Sequence, residues 1–273
     1  MIENFLHLPI RNEKPRTSGI TIVEDNGISL SSIQNILSTS AHLIDYVRLN
    51  ASALLSKESL EQKVKFYKNN GVTPFVSGLV FEAAHLRNSV SDFIALIDKV
   101  GINCLEISEG IAEIKPEQKA LLISKYKNQF EILSKIGPQK KDYVFNSENW
   151  KKYIETSIKA GANKVIIEGS EAGIGQNVNG LLEVNDVLAH GISHYTDLEK
   201  IIWEAPYVPQ QLWFVTRFGA QVNLANINLH EILNLETIRL GLHADSLLHY
   251  LPSQITVGKI REIDNIYNFD WQI

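Results

Sequence analysis

Asp25, Arg48, Glu82, Glu106, Glu109, Glu168, Glu171, Glu204, Asn223 and Asn226 all stand at the end of, or shortly after, an apolar run rich in Val and Ile. Carboxylates gathered in this way hold a hard divalent cation through oxygen, or crowd one another until one pKa rises into the range of a general acid or base. A single acid at such a place is as readily a helix cap or a solvated loop residue. The recurrence of polar side chains at corresponding positions points instead to one shared mouth.

Two further constellations carry weaker signals. Ile167-Glu168-Gly169-Ser170-Glu171-Ala172-Gly173-Ile174-Gly175 follows an apolar run. It lacks the third glycine of a dinucleotide loop, so NAD is rejected, although its backbone N–H groups can cradle a phosphate or carboxylate. Among the eight histidines, His243 near Asp245 is the candidate for a site. His190 and His194 have metal-ligand spacing, but Gly191 and Ser193 between them favour a loop, and no third ligand is apparent. No GxSxG elbow, Walker loop or HExxH occurs. The lone Cys104, between apolar neighbours, reads as a small buried hydrophobe, and Trp150, Trp203 and Trp213 read as packing, with Trp203 a candidate to line the interior.

These residues need elements to hold them. Apolar runs are read at 20–23, 43–47, 72–76, 103–107, 130–133, 164–167, 201–203 and 221–224. Helix-length stretches lie between them: Ser56 to Asn70 before Gly71, Ser91 to Val100 before Gly101, Ser147 to Ala160 before Gly161, and Leu229 to Leu240 before Gly241. Strand and helix alternate, which means parallel strands with helical crossovers. Repeated through a chain of 273 residues, the pattern predicts an α/β fold, a (β/α)8 TIM-type barrel in one domain. An open doubly wound sheet is the alternative, because element order does not decide closure. Residues 1–17 read as an N-terminal extension and 247–273 as a C-terminal tail.

A hydrophobic content of 44% suffices for a full-sized core, and no linker composition divides the chain. A net charge of −5 with no Lys/Arg stripe argues against nucleic acid or an anionic membrane as partner. With no basic leader and no long apolar stretch, the expected location is cytoplasmic. A small anionic or carboxylate substrate is the expected partner.

Longer motifs add a resemblance. The opening 5–16, then Gly19-Ile20-Thr21 with Asp25-Asn26-Gly27, Glu106-Ile107-Ser108, and Val165-Ile166-Ile167-Glu168-Gly169 with Glu171 and Gly173 match the phosphosulfolactate synthase family. So do Glu204-Ala205-Pro206 with Gln210-Gln211, 222–227, and 235–242. This chain resembles that family in order along nearly its whole length. The resemblance implies a (β/α)8 barrel, a homo-oligomer, and Mg2+-dependent addition of sulfite to phosphoenolpyruvate in coenzyme M biosynthesis.

It also implies roles. Arg48, Glu106, Glu168, Glu171 and Glu204 form the catalytic set: Arg48 binds an anionic group, as does Arg239, while the acids Glu168, Glu171 and Glu204 hold metal or move protons. Asp25, Glu109, Ser170, Asn223, Asn226, Arg239 and His243 line the substrate. The chain departs from the family pattern at Arg48, where a Lys is usual, at Lys135, where a Glu is usual, and at Ser170 and His243, where Arg is usual. Two other readings follow from these changes: a paralogue acting on a less anionic substrate, and a non-catalytic barrel with a binding or stress-related role.

Overall fold

The computed structural model describes residue 6 and residues 8–55, 59–137, 147–168 and 186–249. Its strands are β1 (Thr21–Asp25), β2 (Tyr46–Leu49), β3 (Thr73–Val76), β4 (Cys104–Ile107), β5 (Glu131–Ile136), β6 (Lys164–Ile167), β7 (Ile201–Glu204) and β8 (Leu224–Asn228). They form one 8-stranded sheet in the order β3-β2-β1-β8-β7-β6-β5-β4, with every pairing parallel. The two edge strands, β3 and β4, lie against each other. The sheet therefore curls round into a nearly closed (β/α)8 barrel, and the open sheet is ruled out.

Around it run α1 (Leu30–Ser40), α2 (Ala51–Leu54), α3 (Leu60–Asn69), α4 (Gly78–Leu86), α5 (Val90–Lys99), α6 (Pro116–Tyr126), α7 (Ser147–Ala160), α8 (Asp186–Tyr195), α9 (Val208–Phe218) and α10 (Ile232–Arg239). Helix α3 begins at Leu60, four residues after the Ser56 expected, because Ser59 caps it by accepting the Gln62 N–H at 3.4 Å. It stops at Gly71, whose φ of 70° suits a residue without a Cβ, as does the 80° of Gly101 after α5.

Alternation along each strand sorts side chains into two shells. Ile20, Ile22, Phe75, Cys104, Leu133, Ile166, Ile202 and Ala225 fill the barrel interior, while Val23, Val47, Leu105, Ile132, Val165 and Trp203 pack outward among the helices. Cys104 is a buried hydrophobe as expected. Trp203 does not line the interior. It stacks on Phe214 and Phe218 of α9, at centroid distances of 5.2 and 5.8 Å.

The same alternation separates Glu24 from Asp25. Glu24 continues the interior series Ile20, Ile22 and reaches the mouth. Asp25 faces the helices, fully buried, with Lys63 Nζ at 3.1 Å, Tyr67 Oη at 3.1 Å, and the Gly27 and Ile28 N–H groups at 2.8 and 3.1 Å. The expectation that Asp25 contacts substrate is thus corrected: its lone pairs are engaged in the helix shell. Asp25→Ala leaves the buried Lys63 ammonium without a counter-charge, and a stability loss of about 3 to 5 kcal/mol is expected. Denaturant unfolding measures it; a loss under about 1 kcal/mol means that Asp25 has no such structural role.

The barrel's other end is closed by polar side chains. Asn223, just before β8, accepts the Ile20 N–H at 3.0 Å and donates to Ile201 O at 2.9 Å. Arg239, fully buried at the end of α10, donates to Ala220 O and Val222 O at 2.6 and 2.7 Å. Arg11 reaches Ala220 O at 2.8 Å and Glu236 at 2.9 Å from the N-terminal segment. His243 sits on the turn after α10, 3.6 Å from Asp245. Asn223, Arg239 and His243 were expected to bind substrate. They lie instead where the strands begin, because Asn223 precedes its strand, while Arg239 ends the returning helix and His243 sits on the turn after it.

Candidate active site

A cleft of about 510 Å³ opens where the strands end, and Glu24, Arg48, Glu82, Lys135, Glu168, Glu204 and Asn226 are among the residues lining it. Such a mouth is where barrels carry their chemistry. Arg48 is its hub. Its Nε donates to Glu106 at 2.7 Å, and its Nη1 to Glu24 and Glu204, both at 2.9 Å. The guanidinium carbon stands 5.7 Å from the centroid of Phe75 beneath it. Its Nη2 is buried with no hydrogen-bond partner among the described residues. Lysine cannot make this set of contacts, because only the planar fork presents several donors in fixed directions.

The second cation is Lys135, third in the inward series Glu131, Leu133, Lys135 of β5. Its Nζ lies 3.2 Å from both Glu168 Oε1 and Glu204 Oε1. Behind it, Lys119 of α6 donates to the Lys135 carbonyl at 2.5 Å and pairs with Glu109. Glu82 accepts from Ser108 and from the N–H groups of Ile111 and Ala112, both at 2.7 Å, which fixes the loop after β4. Gly78 N–H donates to Glu106 Oε1 at 3.0 Å, joining β3's end to β4.

Burial and charge act against each other here. Desolvation raises the Glu24 carboxyl despite Arg48. Glu204 feels the same desolvation, but Arg48 and Lys135 together outweigh it and lower its pKa. Desolvation opposes the charge on Lys135, yet the neighbouring carboxylates, Glu204 foremost, raise its pKa and keep it an ammonium. The Glu109–Lys119 pair moves toward neutrality from both sides, the acid raised and the amine lowered, with burial the largest cause in each.

Asn226 occupies a strained backbone position. Thr21 pairs with Leu224 but Val23 pairs with Ile227, so β8 holds an extra residue there, and Asn226 takes φ 61°. Bulges of this kind re-aim side chains beside active sites, and asparagine tolerates the left-handed region better than most residues. Close packing also constrains Gly137, where an added Cβ would fall 2.0 Å from Glu168 Oε2. Gly137→Ala is therefore expected to swing Glu168 away from Lys135, lowering turnover at least tenfold while shifting unfolding by less than about 1 kcal/mol. Steady-state kinetics beside a melting curve decides it; unchanged turnover removes Glu168 from the chemistry.

Of the residues expected at one mouth, Arg48, Glu82, Glu106, Glu168, Glu204 and Asn226 converge, with Glu109 one layer behind. Ser170, Glu171 and the Gly173-x-Gly175 loop lie outside the described residues. Glu24 and Lys119 belong to the site and were missed. The alternation Ile20, Ile22, Glu24 signals the first; nothing local signals Lys119. His190 and His194 do share a helix, α8, with rings 5.2 Å apart, contrary to the loop expected, because one internal glycine costs a helix only about 1 kcal/mol. Among the described residues no three His, Cys, Asp or Glu side chains come together to hold a metal. Glu24, Glu168 and Glu204 already take Arg48 or Lys135. The described residues thus do not fit the Mg2+ that the resemblance implies as a preformed oxygen cage.

Among the described residues no helix is long and apolar enough to cross a membrane. The family model described as (2R)-phospho-3-sulfolactate synthase (ComA) matches residues 9–245. The phosphosulfolactate synthase of Methanothermobacter thermautotrophicus is 34% identical over 247 residues, covering 88% of this chain and 95% of that relative. The Bacillus subtilis phosphosulfolactate synthase is 33% identical over 244 residues, covering 88% and 97%. Among solved structures, the YdjI aldolase from Escherichia coli K12 superposes with a TM-score of 0.53 at 9% identity, covering 93% of this chain and 92% of that one, a likeness of fold alone. A family model spanning most of the chain and relatives at this identity agree: the chain belongs to the phosphosulfolactate synthase family.

Proposed function

We propose that this protein adds sulfite, or a related nucleophile, to phosphoenolpyruvate or a similar enol carboxylate. The observation that carries the reading is the convergence of Arg48 Nη1 and Lys135 Nζ on a single oxygen of Glu204, at 2.9 and 3.2 Å, in the wall of the cleft. Two anions must be brought together, and two fixed cations offset their repulsion. Sulfite sulfur attacks the terminal carbon of the enol double bond. The electron pair moves into the carboxylate as an aci-carboxylate, and a proton returns to the adjacent carbon. Arg48, whose Nη2 has no partner among the described residues, binds the substrate carboxylate or phosphate. Lys135 faces the developing negative charge, and Glu168, its partner, hands on the proton. Glu106 and Glu24 hold Arg48 in place.

Purified protein with phosphoenolpyruvate, sulfite and Mg2+ should release phosphosulfolactate, followed by phosphorus NMR. No product at high enzyme concentration sinks the narrow form. The acids Glu24, Glu82, Glu168 and Glu204 around the cleft favour a second reading, a less anionic substrate. It gains ground if other carboxylates raise the melting temperature while phosphate and sulfite do not.

A further inference from the structure

The Lys135 ammonium occupies a cation's position. Glu168 Oε1 and Glu204 Oε1 come from neighbouring strand ends, β6 and β7, and both stand 3.2 Å from Nζ. A divalent ion ligated by either oxygen would lie roughly 2 Å from it. Bridging both, it would need the place the ammonium fills, and binding only one would set it against Lys135 and Arg48 at short range. The lysine is also fixed from behind. Its carbonyl accepts from Lys119 at 2.5 Å, and its place in the inward series of β5 directs it into the barrel. The carboxylates it neutralises are those that would have to ligate an ion at this place, and Glu204 is shared with Arg48 at 2.9 Å.

We propose that Lys135 is a built-in cation: its ammonium takes the site between Glu168 and Glu204 that a divalent metal would otherwise take, and supplies the positive charge there itself. The chemical use of that charge rests on the proposed addition reaction. The occupancy does not, and it is tested without turnover.

Mn2+ serves as the probe, followed by electron paramagnetic resonance on the intact protein, with and without 1 mM phosphoenolpyruvate. Wild type is expected to show no saturable site up to about 1 mM Mn2+. Lys135→Gln, and more strongly Lys135→Glu, should create one with at least tenfold tighter binding, and adding Glu168→Gln should remove it again. Saturable binding to wild type that Glu168→Gln weakens overturns the proposal. So does a folded Lys135→Gln that binds no better than wild type. If both Lys135 variants unfold, wild type titrated between pH 6 and 9 decides: no site at any pH upholds the proposal, and a site at any pH overturns it. Absence of sulfite addition would sink the proposed function while leaving the Mn2+ result standing, so the two failures are distinguishable.

Discussion

Arg48→Ala should lower the melting temperature by on the order of 10 °C and leave no measurable turnover. The guanidinium is the counter-charge for Glu24, Glu106 and Glu204, all nearly buried, and removing one partner from a buried ionic network costs about 3 to 5 kcal/mol. The loss should depend on pH with a definite sign. Burial already raises Glu24, and removing Arg48 takes away a charge that holds both Glu24 and Glu204 down. A folded state that holds more protons than the unfolded one loses stability as pH increases through that window. In wild type, Glu204 is lowered and contributes stability that fades as pH falls. Both effects shrink the gap between variant and wild type near pH 4 to 5 and widen it toward pH 8. Calorimetry at the two ends measures it. Arg48→Lys should recover part of the stability, since one ammonium restores charge but cannot span three acids. A loss that does not vary with pH would mean that packing over Phe75, and not charge, dominates.

Arg239→Ala should cost about as much stability and almost no activity. Its side chain is fully buried and donates to Ala220 O, Val222 O and, at 3.4 Å, Ile20 O. Truncation leaves a cavity and orphans carbonyls, together about 3 to 5 kcal/mol. The cleft lies at the opposite end of the strands, so kcat/KM in the proposed addition of sulfite to phosphoenolpyruvate should stay within about twofold below the melting range. An Arg239→Ala protein that melts normally but no longer turns over would return Arg239 to the anion-binding role suggested by its motif. The paired arginines thus separate the two ends of the barrel by experiment, one affecting chemistry and stability, the other stability alone.

Much of the candidate site was legible because strand ends are. Arg48, Glu106, Glu168 and Glu204 each follow or close a Val/Ile-rich run, and parallel strands bring such ends together wherever the barrel places them. The errors came from parity and from direction. Choosing Asp25 over Glu24 missed by one residue, and one residue on a strand exchanges interior for exterior. The apolar run 221–224 puts Asn223 near a strand's end, whereas the strand runs Leu224–Asn228, so Asn223 lies just before its beginning. The two asparagines in Ala225-Asn226-Ile227-Asn228 hid the shift, and the bulge at Asn226 broke the alternation of faces.

Length, alternating apolar runs and helix stops determined the alternation of parallel strands and helices, because periodicity reports which faces must be buried and repeated strand–helix units must pair in parallel; the contact of β3 with β4 decided that the sheet closes. The sequence also named most of the acids. Only the tertiary structure decided what those acids do: that Glu24, Glu106 and Glu204 share one guanidinium, that Lys135 stands between Glu168 and Glu204, and that Lys63 and Lys119 are buried counter-ions on helices. A lysine on an amphipathic helix reads as solvated until a neighbouring shell covers it, and a carboxylate's role depends on partners tens of residues away. Those partners meet only when the barrel closes.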